Sequence, residues 1–226
     1  MSGHTIAITG ANRGIGLEIA RIFRERGDRV IGLCRRGSDG LREIGAEVVD
    51  GFDVASPEAL AAAAPRVDAE RIDVLVNDAG ILSHQSFDQL GDAEARDAIL
   101  EQYRVNALGP LLVTHALADR LGKGSKVALI TSRMGSIGDN DSGGNYGYRM
   151  SKAALNAGGK SLALDLGQQG IAVGLFHPGF VRTEMTGGRG HVEPAEAAAM
   201  LVERIDALDA DNAGRFLHAN GEELPW

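Results

Sequence analysis

Cys34 is the only cysteine, so no internal disulfide can form. The six histidines are scattered and neither H-E-x-x-H nor C-x-x-C occurs, so no metal site is expected. Aromatic residues make up 4% of the chain, and no stretch approaches the ~20 unbroken apolar residues of a membrane-spanning helix. Basic residues are the minority charge, 23 Lys and Arg against 31 Asp and Glu, for a formal charge of −8. That balance, with no cluster of cations, argues against broad contact with nucleic acid or an anionic membrane. Any anionic ligand must be held locally. Met1-Ser2-Gly3-His4 leads into an apolar segment without a basic region or cleavage-type motif, so no secretory or transit peptide is expected and a cytoplasmic location is.

What is present points to one α/β domain. With 226 residues, 44% of them apolar, the chain can bury a full core. Glycine takes 31 positions, about twice the ordinary ~7%, which implies tight loops. Short β-rich runs at Thr5 to Thr9, Arg29 to Cys34, Glu47 to Asp50, Ile72 to Asn77, Lys126 to Thr131, Ile171 to Phe176 and Arg215 to His218 predict seven strands. Several are continuous Val/Ile/Leu stretches, as strands covered on both faces require. Helical patterns alternate with them at about 14 to 26, 56 to 64, 92 to 121, 147 to 168 and 194 to 208, the last opened by Pro194. The expectation is a doubly wound, seven-stranded parallel sheet with helices on both faces, a single-domain Rossmann fold. In such sheets ligands bind at the carboxyl ends of the strands.

Thr9-Gly10-Ala11-Asn12-Arg13-Gly14-Ile15-Gly16 leaves the first strand and enters the first helix. Glycines there can make the turn, bring backbone N–H groups to a pyrophosphate and let helix approach strand. The spacing resembles the T-G-x-x-x-G-x-G loop of the short-chain dehydrogenase/reductase family, a likeness that runs to about residue 185. Two further matches follow: Asp53-Val54 stands where the family contacts adenine, and Asn77-Asp78-Ala79-Gly80 resembles its N-N-A-G motif, with Asp78 in place of the second Asn. The resemblance gives Asn77 the task of tying strands together. NAD-preferring relatives carry an acid after the second strand, whereas this chain has Cys34-Arg35-Arg36. A guanidinium can grip a 2′-phosphate bidentately, and Arg13 stands where such relatives place a second cation. NADP(H) is therefore expected over NAD(H). A plainer reading makes Arg35 and Arg36 solvated surface charges.

Tyr148-Arg149-Met150-Ser151-Lys152 puts a phenol and an ammonium one helical turn apart. Bringing a phenol from its ordinary pKa of ~10 to ~7 takes about 4 kcal/mol. Two unit charges ~4 Å apart at an effective dielectric of ~20 supply about that much. Tyr-x-x-x-Lys is common by accident, but Ser132 closes the fifth strand and Asn106 lies in the preceding helix, and together they match the family's Asn-Ser-Tyr-Lys tetrad. The resemblance implies that Ser132 hydrogen-bonds the substrate carbonyl, Tyr148 gives or takes the proton, Lys152 binds the nicotinamide ribose and tunes Tyr148, and Asn106 holds a water in the relay. Tyr146 has no lysine partner and Ser136 falls in a loop expected to be mobile.

His177-Pro178-Gly179-Phe180-Val181-Arg182-Thr183 resembles the family's P-G-x-V-x-T, in which Pro178, Gly179, Val181 and Thr183 meet the nicotinamide end. Residues 184 to 193 are expected to form a short substrate lid, and Met134, Tyr146, Phe180 and Met185 to line the pocket. His177 and His191 are read as structural. The long 138 to 145 loop and the C-terminal ending resemble the C-factor-like and sniffer-type carbonyl reductase subgroup. The expected function is NADP(H)-dependent interconversion of a small carbonyl compound and an alcohol. The alternative is a dinucleotide-binding signalling or scaffold protein with little turnover. A homodimer or homotetramer is expected, with helices 92 to 121 and 147 to 168 meeting through small outer residues such as Ala153, Ala157, Gly158 and Gly159.

Overall fold

Val, Ile and Leu stand on a pleated strand with successive side chains on opposite faces. In the computed structural model, which describes residues 3–226, these runs form β1 (Thr5–Thr9), β2 (Arg29–Cys34), β3 (Glu47–Asp50), β4 (Val74–Asn77), β5 (Lys126–Ile130), β6 (Ala172–His177) and β7 (Phe216–His218). They make one sheet in the order β3-β2-β1-β4-β5-β6-β7, every pair parallel. The chain runs outward from β1 to β3, then returns to β4 on the other side of β1. That reversal opens a crevice at the carboxyl ends of β1 and β4.

The helices are α1 (Gly14–Glu25), α2 (Asp39–Glu43), α3 (Pro57–Ala63), α4 (Ala93–Tyr103), α5 (Gly109–Ala116), α6 (Tyr146–Gly167) and α7 (Pro194–Asp206). Strand alternation divides the core between them. Ala7, Leu75, Val127, Leu129 and Leu175 pack with Leu60, Val113 and Leu155 of α3, α5 and α6. Ile6, Ile8, Val76, Ala128 and Phe176 point the other way, onto Ile19 and Phe23 of α1 and Leu201 and Val202 of α7. Each such side chain fully buried is worth about 1.5–3 kcal/mol. None of the helices is long and apolar enough to cross a membrane, among the described residues.

Three expectations need correction. The five-residue α2 lies outside the expected helical patterns; Ser38 caps it by accepting from the Leu41 amide (3.3 Å), and only Leu41 is buried. The helix expected over 92 to 121 is interrupted by a π-turn at Arg104–Leu108, where the Gly109 amide reaches back to the Arg104 carbonyl. Pro110 explains the break, because it has no N–H to give the Asn106 carbonyl four residues earlier. Finally, Gly159 is not on an outer face. It shares the inner stripe of α6 with Lys152, Leu155 and Asn156, and a Cβ there would lie 2.6 Å from Leu129 and 2.8 Å from Leu175.

Candidate active site

The glycine loop leaves β1 with Gly10 at φ +70° and Gly14 at φ +56°, left-handed conformations that glycine adopts without strain. A Cβ on Gly16 would lie 2.7 Å from both the Gly10 carbonyl oxygen and the Asp78 Oδ2, so α1 can start here only with hydrogen at that position. Asn12 and Ile15 are half-buried, Ile15 packing onto the α1 face of the core. Thr9 Oγ1 accepts from the amides of Asp78 (3.1 Å) and Ala79 (3.2 Å), which clamps the ends of β1 and β4 together. Arg35 and Arg36 are exposed after β2, and neither makes an ion pair among the described residues; the nearby acids Asp39 and Asp50 face Arg42. Arg13 is committed differently, to an ion pair with Glu184. Buried Cys34, whose thiol burial pushes up to about 11, is a packing residue.

Across the crevice, α6 starts after Asn145, which is itself left-handed (φ 51°). Its first turns carry Tyr148 and Lys152 inward. Lys152 is buried, its Nζ donating to the Ile130 carbonyl (2.9 Å) and standing 5.8 Å from the centre of the Tyr148 ring. Ser132 is buried at the end of β5, and its Oγ accepts from the Met134 amide (3.2 Å). Fully buried Asn106 sits in the π-turn. Its Oδ1 accepts from the Ile81 amide and its Nδ2 donates to the Ile81 carbonyl, both at 2.8 Å, and Nδ2 also reaches Ser151 Oγ (3.1 Å). That grip positions Gly80, where a Cβ would meet Asn106 Oδ1 at 3.3 Å and Lys152 Nζ at 3.9 Å.

Burial governs the charges. It pushes the Tyr148 phenol up to about 12, opposed by a hydrogen bond with the Ser132 hydroxyl and reinforced by the Asp78 carboxylate. Burial pulls Lys152 down to about 8, against the attraction of Asp78. It lifts Asp78 to about 7, against Lys152 and the Gly16 amide. Desolvation is the largest of these influences on Tyr148, and it holds the phenol protonated.

The chain matches the family model described as short chain dehydrogenase over residues 4–193. The chain belongs to the short-chain dehydrogenase family. It is 39% identical over 228 residues to the 1-hydroxy-2-glutathionyl-2-methyl-3-butene dehydrogenase of Rhodococcus sp. (strain AD45), covering 98% of this chain and 99% of that one. It is 41% identical over 157 residues to C-signal of Myxococcus xanthus, covering 69% of this chain and 93% of that one. Among solved structures it resembles the carbonyl reductase Sniffer of D. melanogaster (TM-score 0.89, 26% identity, 99% and 100% covered). It also resembles a carbonyl reductase from chicken fatty liver with NADPH bound (TM-score 0.88, 26% identity, 100% of each covered). The chain is thus an oxidoreductase of this short-chain family.

The other family positions fall around the same rim. Asp53 turns the chain into α3, its Oδ1 accepting from the Ala55 amide (3.0 Å), and Val54 is buried. Asn77 is buried at the end of β4, but its Nδ2 donates to Thr114 of α5 (3.3 Å), so it ties strand to helix, not strand to strand. Pro178 and Gly179 follow β6, buried Val181 bridges to Val192, and Thr183 Cγ2 would stand 3.7 Å from a Cβ on Gly14. Tyr146 opens α6 and Met134 follows Ser132, both half-buried. Phe180 and Met185 are largely exposed beyond β6, Phe180 edge-on to His191 at 5.6 Å. Ser136 is not in a mobile loop. It is buried, donating to the Trp226 carbonyl (3.2 Å) and accepting from the Asp139 amide (3.1 Å).

Two residues carry more here than their sequence context conveys. His177, at the end of β6, packs edge-on to His218 at 5.1 Å, and its Nδ1 is buried without a partner among the described residues. Burial, then the charges of His218, Arg133 and Lys152, depress it to about 3, so its ring stays neutral. Asp78 puts a carboxylate against Gly16 at the start of α1, and only its departure from N-N-A-G marks it in the sequence.

Proposed function

We propose that the protein interconverts a carbonyl group and an alcohol using NADP(H), with Tyr148 as the proton donor and acceptor. The observation that carries this reading is the pair of half-buried Tyr148 and buried Lys152 beside Ser132, together with a glycine cradle in which a Cβ at Gly16 could not be accommodated. The left-handed Gly10 and Gly14 give that loop a main-chain surface that fits a dinucleotide pyrophosphate, while the bare Gly16 lets α1 close on Gly10 and Asp78. When bound, the nicotinamide supplies or accepts the hydride.

The chain's own residues do the rest. Gly10, Asn12, Gly14, Ile15 and Gly16 would line the pyrophosphate, and Asp53, Val54, Asn77, Ala79 and Gly80 the adenosine side. Arg35, free of ion pairs among the described residues, is the first 2′-phosphate ligand, and Arg13, in an exposed pair with Glu184, is the second. Pro178, Gly179, Val181 and Thr183 would hold the carboxamide. Ser132 hydrogen-bonds the substrate oxygen, Tyr148 passes it a proton, and Lys152 holds the ribose and the charge balance. Asn106 spends its side chain on Ile81, so it serves the relay as a positioning residue. The phenol is protonated at neutral pH, the state from which it can give a proton to the substrate oxygen in reduction. Residues 184 to 193 would close over a pocket of Met134, Tyr146, Phe180 and Met185, and the assembled form is a homodimer or homotetramer. The NADPH-bound chicken carbonyl reductase, similar over the whole chain, supports the cofactor assignment.

Steady-state NADPH oxidation with a panel of ketones and aldehydes tests the proposal, comparing the native chain with Tyr148→Phe. Turnover that disappears in the variant is the expected result. Turnover that persists refutes the role of Tyr148. The competing reading, a signalling protein that binds dinucleotide, predicts cofactor binding with no turnover of any compound in the panel by the native chain.

A further inference from the structure

α6 begins without a cap of its own. The first amides of a helix have no partner inside it, and a polar side chain just before the helix ordinarily supplies one. Here that residue is Asn145, whose side chain makes no cap hydrogen bond and meets His84 Nδ1 at 2.6 Å instead. An acceptor comes from elsewhere in the chain. Gln85, on the segment that follows β4, is buried; its Oε1 accepts from the Gly147 amide at 3.1 Å, and its main-chain carbonyl accepts from the Asn145 amide at 2.9 Å. Gly147 directly precedes Tyr148. We propose that Gln85 is a positioning residue for Tyr148: from outside α6 it caps the turn that carries the phenol and fixes where that turn sits.

The carboxamide of Gln85 is itself held at both ends. Its Nε2 donates to Ser83 Oγ (2.7 Å), and its Oε1 also accepts from Nε2 of fully buried Gln102 in α4 (3.4 Å). Gln102 Oε1 in turn accepts from the Ser83 amide at 2.9 Å. Gln102 and Asn106 stand four residues apart, so two carboxamides from one side of α4 and the π-turn grip alternate residues of the same segment, Ser83 and Ile81. Neither glutamine leaves a buried polar atom unpaired among the described residues. Such a network holds one geometry, because each broken bond would leave a polar group dry and without a partner. The seat it makes fits only glycine: a Cβ at Gly147 would collide with Gln102 Nε2 and lie 3.0 Å from both Gln85 Oε1 and the Ile99 Cα. The chain enters α6 through Gly143, Gly144 and Asn145, all left-handed (φ 65°, 64° and 51°), a coil with no strand or helix to set where α6 starts. One turn later α6 has separate moorings, Lys152 Nζ on the Ile130 carbonyl and Ser151 Oγ on Asn106 Nδ2. Gln85 therefore acts on the turn of Tyr148 and not on that of Lys152.

Gln85→Met keeps the length of the side chain and removes its oxygen. By hydrogen exchange, the Gly147 amide should lose about tenfold of its protection in the variant, while amides from Leu155 onward keep theirs. An unmoved Gly147 amide in the folded variant overturns the cap. Should the variant fail to fold, the native chain decides. No acceptor meets the amides of Tyr146 and Tyr148 among the described residues, so Gly147 between them should exchange about tenfold more slowly than either, and equal rates refute the cap. The consequence for turnover rests on the carbonyl-reduction reading. There Gln85→Met should lower kcat about tenfold or more, because a misplaced proton donor loses its reactive geometry, and should leave the KM for NADPH within about twofold of native. A glutamine that merely stabilised the fold would lower the urea midpoint and leave kcat alone. With Tyr148→Phe inactive, an unchanged kcat in folded Gln85→Met, or a KM that rises as kcat falls, overturns the positioning. Exchange at Gly147 does not depend on that reading, so an active Tyr148→Phe would remove the reading and leave the cap separately measurable.

Discussion

The two sides of the crevice are built by opposite means. On the β1 side the working surface is main chain: glycines at positions 10, 14 and 16 remove side chains, and Thr9 fastens that loop to β4. On the β5 and α6 side it is side chains, with Ser132 and Lys152 buried and Tyr148 partly so, each charge state set by what surrounds it. Backbone amides do not titrate, so on the first side pH acts only through Asp78, lifted to about 7 against Gly16. On the second it acts on the side chains themselves.

Removing the phenolic oxygen is the harshest way to sharpen the contrast. Tyr148→Phe should lower kcat for carbonyl reduction by about 10²–10⁴-fold while leaving cofactor affinity within a few-fold, measured by steady-state rates and by fluorescence titration with NADPH. A matching loss of affinity would mean that the two sides are not separable. Gly16→Ala attacks the other side. The added methyl meets the Gly10 carbonyl and Asp78, so about 1–3 kcal/mol of stability should go, read as a lower urea midpoint, and cofactor affinity should fall with it.

His177 supplies the pH test. Its folded pKa, about 3, lies below the ordinary 6.5, so the unfolded chain binds the proton more readily. Its contribution to stability is complete above 6.5 and is lost as the pH falls toward 3. Between pH 6.5 and 5 the native chain should lose about 1–2 kcal/mol through this group, allowing for its partial exposure. Urea midpoints of the native chain and His177→Asn, taken at both pH values, measure it; parallel decline in the two would remove His177 as the cause.

Most of the fold is legible in the sequence, because parallel strands buried on both faces must be apolar throughout, and β1, β2 and β3 fall on the expected residues. Some departures are local, at Pro110 and the Ser38 cap, and others come from partners distant in the chain or from desolvation. Asn106 is visible as a tetrad residue, but the π-turn that presents it is set by Pro110. Arg13 reads as a phosphate ligand, and its spacing gives no sign of the pairing with Glu184, 171 residues away. Spacing puts Tyr148 and Lys152 together, yet it is silent on how dry their surroundings are, and dryness reverses the expected direction for the phenol.

The gentlest test concerns which cation on the cofactor side meets the 2′-phosphate. Arg35 is exposed and free of ion pairs among the described residues, whereas Arg13 must leave Glu184 before it can bind anything else. An exposed pair of that kind is worth at most about 1 kcal/mol, so it biases the choice toward Arg35 without forbidding Arg13. A guanidinium on a phosphate contributes about 1.5–3 kcal/mol, the upper part only where water is excluded. Arg35→Ala should therefore weaken NADPH binding about tenfold and NADH binding hardly at all, by titration of each nucleotide. Equal losses for the two nucleotides would strip Arg35 of the phosphate and return it to the solvated surface. A loss confined to NADPH that grows further in Arg13→Ala would mean that Arg13 abandons Glu184 to share the load.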